Sequence, residues 1–361
     1  MPFQTSDRSW KTFVVILATA SVLGISSVAM AVDQLTLRSS NVTLRGEITA
    51  MTTASVSIKP ANGPVQEVPV SDIFNIVYDM QPPMLAQAQS NERSGNLESA
   101  LEKYQDVAKS YAGDDKRVVT DVKFLIARTQ VKSALADPSK VADAQKSISE
   151  FRTANKAHFR YLEATLLEAQ LLSENSATEA AAQELLREVQ AAPVKGFQLQ
   201  AGVLLGRLLL KSDKTSEAMA AFDQVIQQSA GDAGATSAMF DGMLGKASCH
   251  QKQGQVDEAI KTLDEVISRA SESESQTLAE AWVLKGDCYR AKNLPKDALM
   301  AYLHVDVLYA SEPAAHAESL FRLAALWGPA GHQDRADEAM ARLTSRYENS
   351  PWAKQSATPA P

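Results

Sequence analysis

Two hydrophobic periods divide this chain. From residue 32 to about 78 apolar and polar positions alternate: Leu35 and Leu37; Val42, Leu44 and Ile48 around Gly46; Val56 and Ile58; Val65, Val68 and Val70; then Phe74, Ile76 and Tyr78. Alternation on that scale predicts five short strands with one face buried. Asn62-Gly63 between the third and fourth can take positive φ and reads as a turn. A short link over residues 69–73 precedes the last strand. Gln81-Pro82-Pro83 closes this β-module, set at residues 32–80.

Beyond it the period changes to 3.6, and a repeat emerges when alanines standing one helical turn before a bulky residue are aligned. Ala100/Tyr104, Ala144/Ile148, Ala181/Leu185, Ala218/Phe222, Ala259/Leu263, Ala298/Tyr302 and Ala339/Leu343 form the series, at spacings of 37 to 44 residues. Three residues after the bulky member come Val107, Phe151, Glu188, Val225, Val266, Val305 and Arg346, so five of the seven units continue the apolar face. Five residues before the alanine stands a turn former or helix starter: Gly95, Ser139, Ser176, Asp213, Gly254, Asn293 and Asp334. The expectation is about seven helical hairpins over residues 84–348. Gly328-Pro329 predicts that the first helix of the last hairpin stops at Trp327.

The two ends differ from this body. Arg8 and Lys11 precede an apolar stretch over residues 13–28, and Ala29-Met30-Ala31 supplies small residues at a cleavage position, so residues 1–31 read as a signal peptide cut before Val32. The stretch also approaches the ~20 residues of a membrane span, which makes an uncleaved anchor the alternative. The first cysteine is Cys249, so no lipid-bearing cysteine follows the apolar stretch. The expected location is exported, periplasmic or secreted. Residues 349–361 lack apolar periodicity and read as a disordered tail.

Composition narrows the function classes. The chain is 361 residues long, 45% hydrophobic and 22% charged, which excludes a disordered polymer and suffices for a large core. A formal net charge of −7 with no basic window argues against nucleic acid as a partner. The histidines, His158, His250, His304, His316 and His332, lie in no zinc-like spacing, and there is no nucleophile elbow, phosphate loop or dinucleotide fingerprint. The reading is therefore non-enzymatic, with no cofactor and no metal site.

Ala279-Glu280-Ala281-Trp282 followed by Gly286, Tyr289, Ala298, Tyr302 and Val305 resembles the tetratricopeptide repeat, as do Leu205-Gly206 with Ala218 and Phe222, Gly254 with Ala259 and Leu263, and Gly95-Asn96 with Ala100 and Tyr104. Spacings near 40 exceed the family's ~34 residues and predict longer helices or loops. The resemblance implies a mainly α fold, a right-handed α-solenoid of about seven such hairpins, preceded here by a small all-β module. The strand spacing of that module, with Arg45-Gly46, resembles a small SH3/Sm-like barrel, and the resemblance implies a single 3₁₀ turn over residues 69–73. Such barrels often bind RNA, a role that an acidic, exported chain disfavours.

The resemblance also implies that Gly286 and Ala298 face each other at a close helix crossing, that Trp282 and Tyr302 fill the wedge between hairpins, and that Cys249 and Cys288 hold one buried position in consecutive hairpins. Equivalent points lie roughly 10 Å apart there, too far for a disulfide, which needs Cα atoms within ~7 Å. Finally, it implies protein or peptide partners in a concave groove lined by the first helix of each hairpin. The matching positions are Gln200, Val203, Arg207, Leu210 and Lys211; Asp241, Leu244, Ser248, Gln251 and Lys252; and Glu280, Val283, Asp287, Arg290 and Ala291. Lys211, Lys252 and Arg290 are expected to form a basic ladder, with Val203, Leu210, Leu244 and Val283 as apolar pockets between them. The expected function is an exported scaffold for protein–protein contacts at the cell envelope, with glycan or peptidoglycan binding through exposed aromatics as the alternative.

Overall fold

The computed structural model describes residues 32–356, so the expected signal segment, residues 1–31, lies outside the described residues, as do residues 357–361. Five strands come first: β1 (Asp33–Leu37), β2 (Thr43–Met51), β3 (Ser55–Lys59), β4 (Gln66–Pro69) and β5 (Ile73–Val77). They form one antiparallel sheet in the order β4-β3-β2-β1-β5. The expected 3₁₀ turn occupies Val70–Asp72 and carries the chain from one sheet edge to the other. Gly46 is required by a close approach: a Cβ there would stand 2.2 Å from the Lys59 carbonyl oxygen. Leu35, Val56, Ile58, Val68, Ile73 and Ile76 fill the inside. Val42 and Val65 are exposed, each just ahead of a strand, and Phe74 is exposed because the β1–β5 register shifts there, Thr36 facing Asn75 and Leu37 facing Ile73, so that Ile73 and not Phe74 points inward.

Seven helix pairs follow, and in each the first helix is called A and the second B. They are α1 (Pro83–Arg93) with α2 (Leu97–Ser110), α3 (Lys116–Ala136) with α4 (Val141–Ala154), α5 (Tyr161–Leu172) with α6 (Glu179–Ala191), and α7 (Lys195–Lys211) with α8 (Thr215–Ser229). Then come α9 (Thr236–Lys252) with α10 (Val256–Arg269), α11 (Ser275–Ala291) with α12 (Pro295–Leu308), and α13 (Pro313–Trp327) with α14 (Gln333–Arg346). Helix α13 ends at Trp327, where Gly328-Pro329 forbids its continuation. A last short helix, α15 (Pro351–Ser356), corrects the expectation of disorder from residue 349: Ala353 is buried and the Trp352 ring packs 5.4 Å from that of Phe321.

The A–B turns explain the register. Gly95, Asp213, Gly254, Asn293 and Gly331 all have positive φ, which Gly adopts freely and Asn or Asp tolerate. In each of these turns the buried alanine follows five residues later, as Ala100, Ala218, Ala259, Ala298 and Ala336. The last hairpin is thus read from Ala336, with Met340 and Leu343 in train, and not from Ala339. The hairpins of α3/α4 and α5/α6 turn through 3₁₀ segments, Pro138–Lys140 and Ser176–Thr178. In the second of these Ala182, Leu186 and Val189 are buried, one residue on from the expected Ala181, Leu185 and Glu188. With both shifts made, Val107, Phe151, Val189, Val225, Val266, Val305 and Leu343 put an apolar residue at the same buried place in every hairpin.

Glycine makes room for an aromatic ring. A Cβ on Gly286 would meet the Tyr302 ring of helix B at 2.5 Å. Phe222 is accommodated in the same way by Gly206 and by Gly245 of the next hairpin. Trp282 is only partly buried: it stacks on His304 with ring centroids 4.0 Å apart and carries Lys285 Nζ 4.8 Å above its ring. Cys249 and Cys288 are free and buried, and burial pushes both thiols up to about 11.

The β-module is built into the array. Its core runs without a break into the helices as far as Leu208. Asp33 of β1 accepts hydrogen bonds from the amides of Ile48 (3.1 Å) and Asp79 (3.0 Å) and from Arg117 Nη1 of α3 (2.8 Å). The 3₁₀ turn reaches the start of α7, where a Cβ on Gly196 would stand 2.6 Å from the Ser71 side chain.

Candidate functional site

Successive A helices pack side by side from α7 through α9 and α11 to α13. On that face a chain of charges crosses the hairpins. Arg207 of α7 reaches Asp241 of α9 at 3.2 Å and Glu280 of α11 at 3.5 Å. Asp287 of α11 meets Arg290 at 3.3 Å and Arg322 of α13 at 3.3 Å, and Arg322 also meets Glu318 at 3.2 Å. Asp241, Glu280 and Glu318 stand at one equivalent place in three consecutive A helices. This is an acidic ladder.

Two of these carboxyls, Asp241 and Glu318, hold their protons more tightly than usual. Burial pushes Glu318 up to about 7, aided by the charges of Asp287 and Glu280 and opposed by Arg322. Burial likewise raises Asp241, against the pull of Arg207 and with the help of Glu280. Asp287 also accepts the Tyr302 hydroxyl proton at 2.6 Å, which fixes the carboxylate over the helix crossing.

Two cavities open along this face. One, of about 850 Å³, lies between the β-module and helices α7 and α9; Gln200, Val203, Arg207 and Asp241 line it opposite Arg38 and Asp72. The other, of about 930 Å³, lies between α11, the start of α13 and the segment leading into α15. Glu280 and Val283 line it with Glu312, Glu318, Tyr347 and Trp352.

The structure therefore brings together only part of the expected groove. Val203 and Val283 are nearly covered and touch the cavities as floor, while Leu244 is wholly core. Leu210 is half-buried against the cluster holding Phe222 and Cys249. Ser248 turns its hydroxyl back to the Leu244 carbonyl at 3.0 Å. Gln251, Asp287, Arg290 and Ala291 lie outside both cavities.

The basic ladder takes a different form. Lys211 bonds to Glu174 at 3.0 Å, Lys252 to Asp213 at 2.6 Å, and Lys292, not Arg290, continues the row by bonding to Asp257 at 2.6 Å. Lys211 and Lys252 end their A helices, Lys292 directly follows α11, and each reaches back to the preceding hairpin. These cations are stitches between repeats. Glu318 and Arg322 were missed because the groove positions were carried only as far as α11, although Glu318 lies 38 residues after Glu280, as Ala336 lies 38 after Ala298. Among the described residues no group of three or more His, Cys, Asp and Glu side chains could hold a metal ion. No helix among them is long and apolar enough to cross a membrane.

A stack of antiparallel helix pairs, each burying its apolar face on its neighbours, defines the class: a helical-repeat solenoid. Residues 209–281 match the family model described as tetratricopeptide repeat, and the helix pairs form a solenoid of that type, preceded by a five-stranded antiparallel sheet. Among similar solved structures is a tetratricopeptide repeat protein from Parabacteroides merdae, 16% identical, with a TM-score of 0.52 over 75% of this chain and 95% of that one. A Rap protein complexed with competence and sporulation factor is 11% identical, with a TM-score of 0.50 over 75% of this chain and 77% of its own. The Rap conjugation gene regulator of plasmid pLS20, in complex with the Phr* peptide, is also 11% identical, with a TM-score of 0.50 over 73% and 84% of the two chains. A comparison with curated proteins gives no match.

Proposed function

We propose that this chain is a non-enzymatic interaction scaffold that binds a polypeptide along its A-helix face, and that it works outside the cytoplasm. The observation that carries the reading is the charge relay of Arg207, Asp241, Glu280, Asp287, Arg322 and Glu318 across four hairpins, with a cavity at each end. Such a surface offers oriented polar groups over apolar floors, the pattern that fixes the direction and register of an extended segment. Two of the similar solved folds are complexes, one of them with a peptide named in its description. Export rests on the pattern of residues 1–31 alone.

The test is site-specific photocrosslinking in the native cell, with the crosslinker at exposed Gln200 or Gln276 and, as comparison, at exposed Lys261 of α10. Adducts to a polypeptide from the first two positions and not the third are expected. Adducts from Lys261 alone would move the binding face to the B helices. Amino-terminal sequencing of the native protein in the extracytoplasmic soluble fraction should read from Val32, and an intact residue 1–31 segment in a membrane pellet would overturn export with cleavage.

A further inference from the structure

We infer that the cavity between α11, the start of α13 and the approach to α15 takes a lysine or arginine side chain of the bound polypeptide, flanked by apolar residues. The inference rests on the polypeptide-binding reading above and names the partner's chemistry.

Three observations lead to it. The floor and one wall are apolar, made by Val283, Leu284, Pro313, Ala317, Pro351 and Trp352, which suits aliphatic flanks and the methylene stem of a long basic side chain. The remaining lining is acidic in excess: Glu280, Glu312, Glu318 and Glu348 stand against one cation, Arg346. That cation is committed elsewhere, since its Nη2 donates to the Ala310 carbonyl at 3.2 Å and its guanidinium lies 5.4 Å over the Tyr347 ring.

The internal pairings leave the anionic excess in place. Arg322 serves both Glu318 and Asp287, and Arg207 serves both Asp241 and Glu280, so two guanidinium groups are shared among four carboxylates. Arg290 adds only a partner for Asp287. A partner cation entering beside Glu318 and Glu280 relieves their mutual repulsion and favours the charged carboxylate. Glu318 faces Glu280 and Asp287 from α11 and Arg322 from its own helix, shares its cavity with Glu312, Arg346 and Glu348, and is pushed up to about 7 chiefly by burial. Binding should therefore release a proton and tighten several-fold as pH rises from 6 to 8, because the deprotonated carboxylate is the form that holds a cation.

The test uses a phage-displayed library of random dodecapeptides selected on the purified protein at pH 8. Binders are scored against two variants: Glu280→Gln/Glu318→Gln, which keeps shape and removes charge, and Ala314→Trp, which fills the cavity mouth from an exposed position. Circular dichroism confirms that both variants fold. The expected result is a set of peptides enriched in Lys or Arg between apolar residues, lost on Ala314→Trp and weakened at least tenfold on the double Gln variant. Peptides lost on Ala314→Trp but equally tight to the double Gln variant would overturn the cation while leaving polypeptide binding intact. Peptides indifferent to Ala314→Trp would overturn the cavity, and recovery of no peptide at all would overturn this inference together with the reading beneath it.

Discussion

Phe222 lies between two glycines of successive A helices, and that contact shows how single residues set the spacing of the stack. A Cβ on Gly206 would stand 2.5 Å from its ring and one on Gly245 would stand 2.3 Å away, and the side chain is fully buried, so either added methyl forces the ring or a helix to shift. Gly245→Ala should overfill the crossing and cost about 1–3 kcal/mol, a loss that Phe222→Leu in the same chain should partly restore. Thermal melts of the single and double variants check this, and an unchanged melt for Gly245→Ala would mean that the ring is not confined. Charge is confined as tightly at Glu92 of α1. It accepts hydrogen bonds from the Tyr104 hydroxyl (2.8 Å), Arg128 Nε and Nη2 (2.7 Å each) and Lys132 Nζ (2.8 Å). Burial alone would raise this carboxyl, but the charges and hydrogen bonds of Arg128 and Lys132 hold it at about 2. A depressed carboxyl stabilises the fold fully above its ordinary unfolded value, and that contribution is lost as pH falls toward 2. Glu92→Gln removes the buried charge that Arg128 and Lys132 share, leaving Arg128 with Glu163 alone at 3.4 Å, and should cost about 3–5 kcal/mol near neutral pH. It should also flatten the acid limb of the unfolding profile below pH 4.5, the carboxyl's ordinary value.

Elements were the most legible level of this sequence, because helices and strands follow from local periods. All five strands, the seven hairpins and the end of α13 at Trp327 were readable from residue spacing, and the 3₁₀ turn from the likeness to a small barrel. Two hairpins were read out of register, and both had announced it: Glu188 and Arg346 broke the apolar face that Val189 and Leu343 in fact provide. Alanine is common on both faces of a helix, so an alanine alone cannot fix rotation, whereas a residue at positive φ can. The site was less legible. Position in a repeat tells which face a side chain leaves from, but not whether its charge is already taken by the next hairpin. Lys211, Lys252 and Lys292 illustrate this, each bonded to the preceding repeat. Their side chains remain one-third to one-half exposed, so each pairing adds little to stability and is screened by salt. Replacing all three by methionine should lower the melting temperature slightly at low ionic strength and not at high. Equal losses at both salt concentrations would assign the lysines a packing role instead of an electrostatic one.

At the scale of the whole molecule, a stack of hairpins has two open ends, and an uncovered apolar end is costly in water. Helix α15 covers the last hairpin through Trp352 and Ala353. At the other end the β-module does more than cap. Its core is continuous with that of the first hairpins, Asp33 is hydrogen-bonded to Arg117 of α3, and its 3₁₀ turn touches the start of α7, so it spans from the first hairpin to the fourth. Sequence periods could not reveal this placement, since the contacts join residues far apart in the chain. A lone five-stranded sheet tethered by a linker and one built into the array have the same alternating pattern. The difference is measurable by hydrogen exchange on Asp33→Ala, which leaves the Ile48 and Asp79 amides without their acceptor and Arg117 without its buried carboxylate. In an integrated fold, faster exchange should spread from β1 and β2 into α3 and, through the 3₁₀ turn, to the beginning of α7, while α11 to α14 keep their protection. Exchange that accelerated only within residues 32–80 would show that the module opens as an independent unit, and the solenoid would then have to be capped by α1 alone.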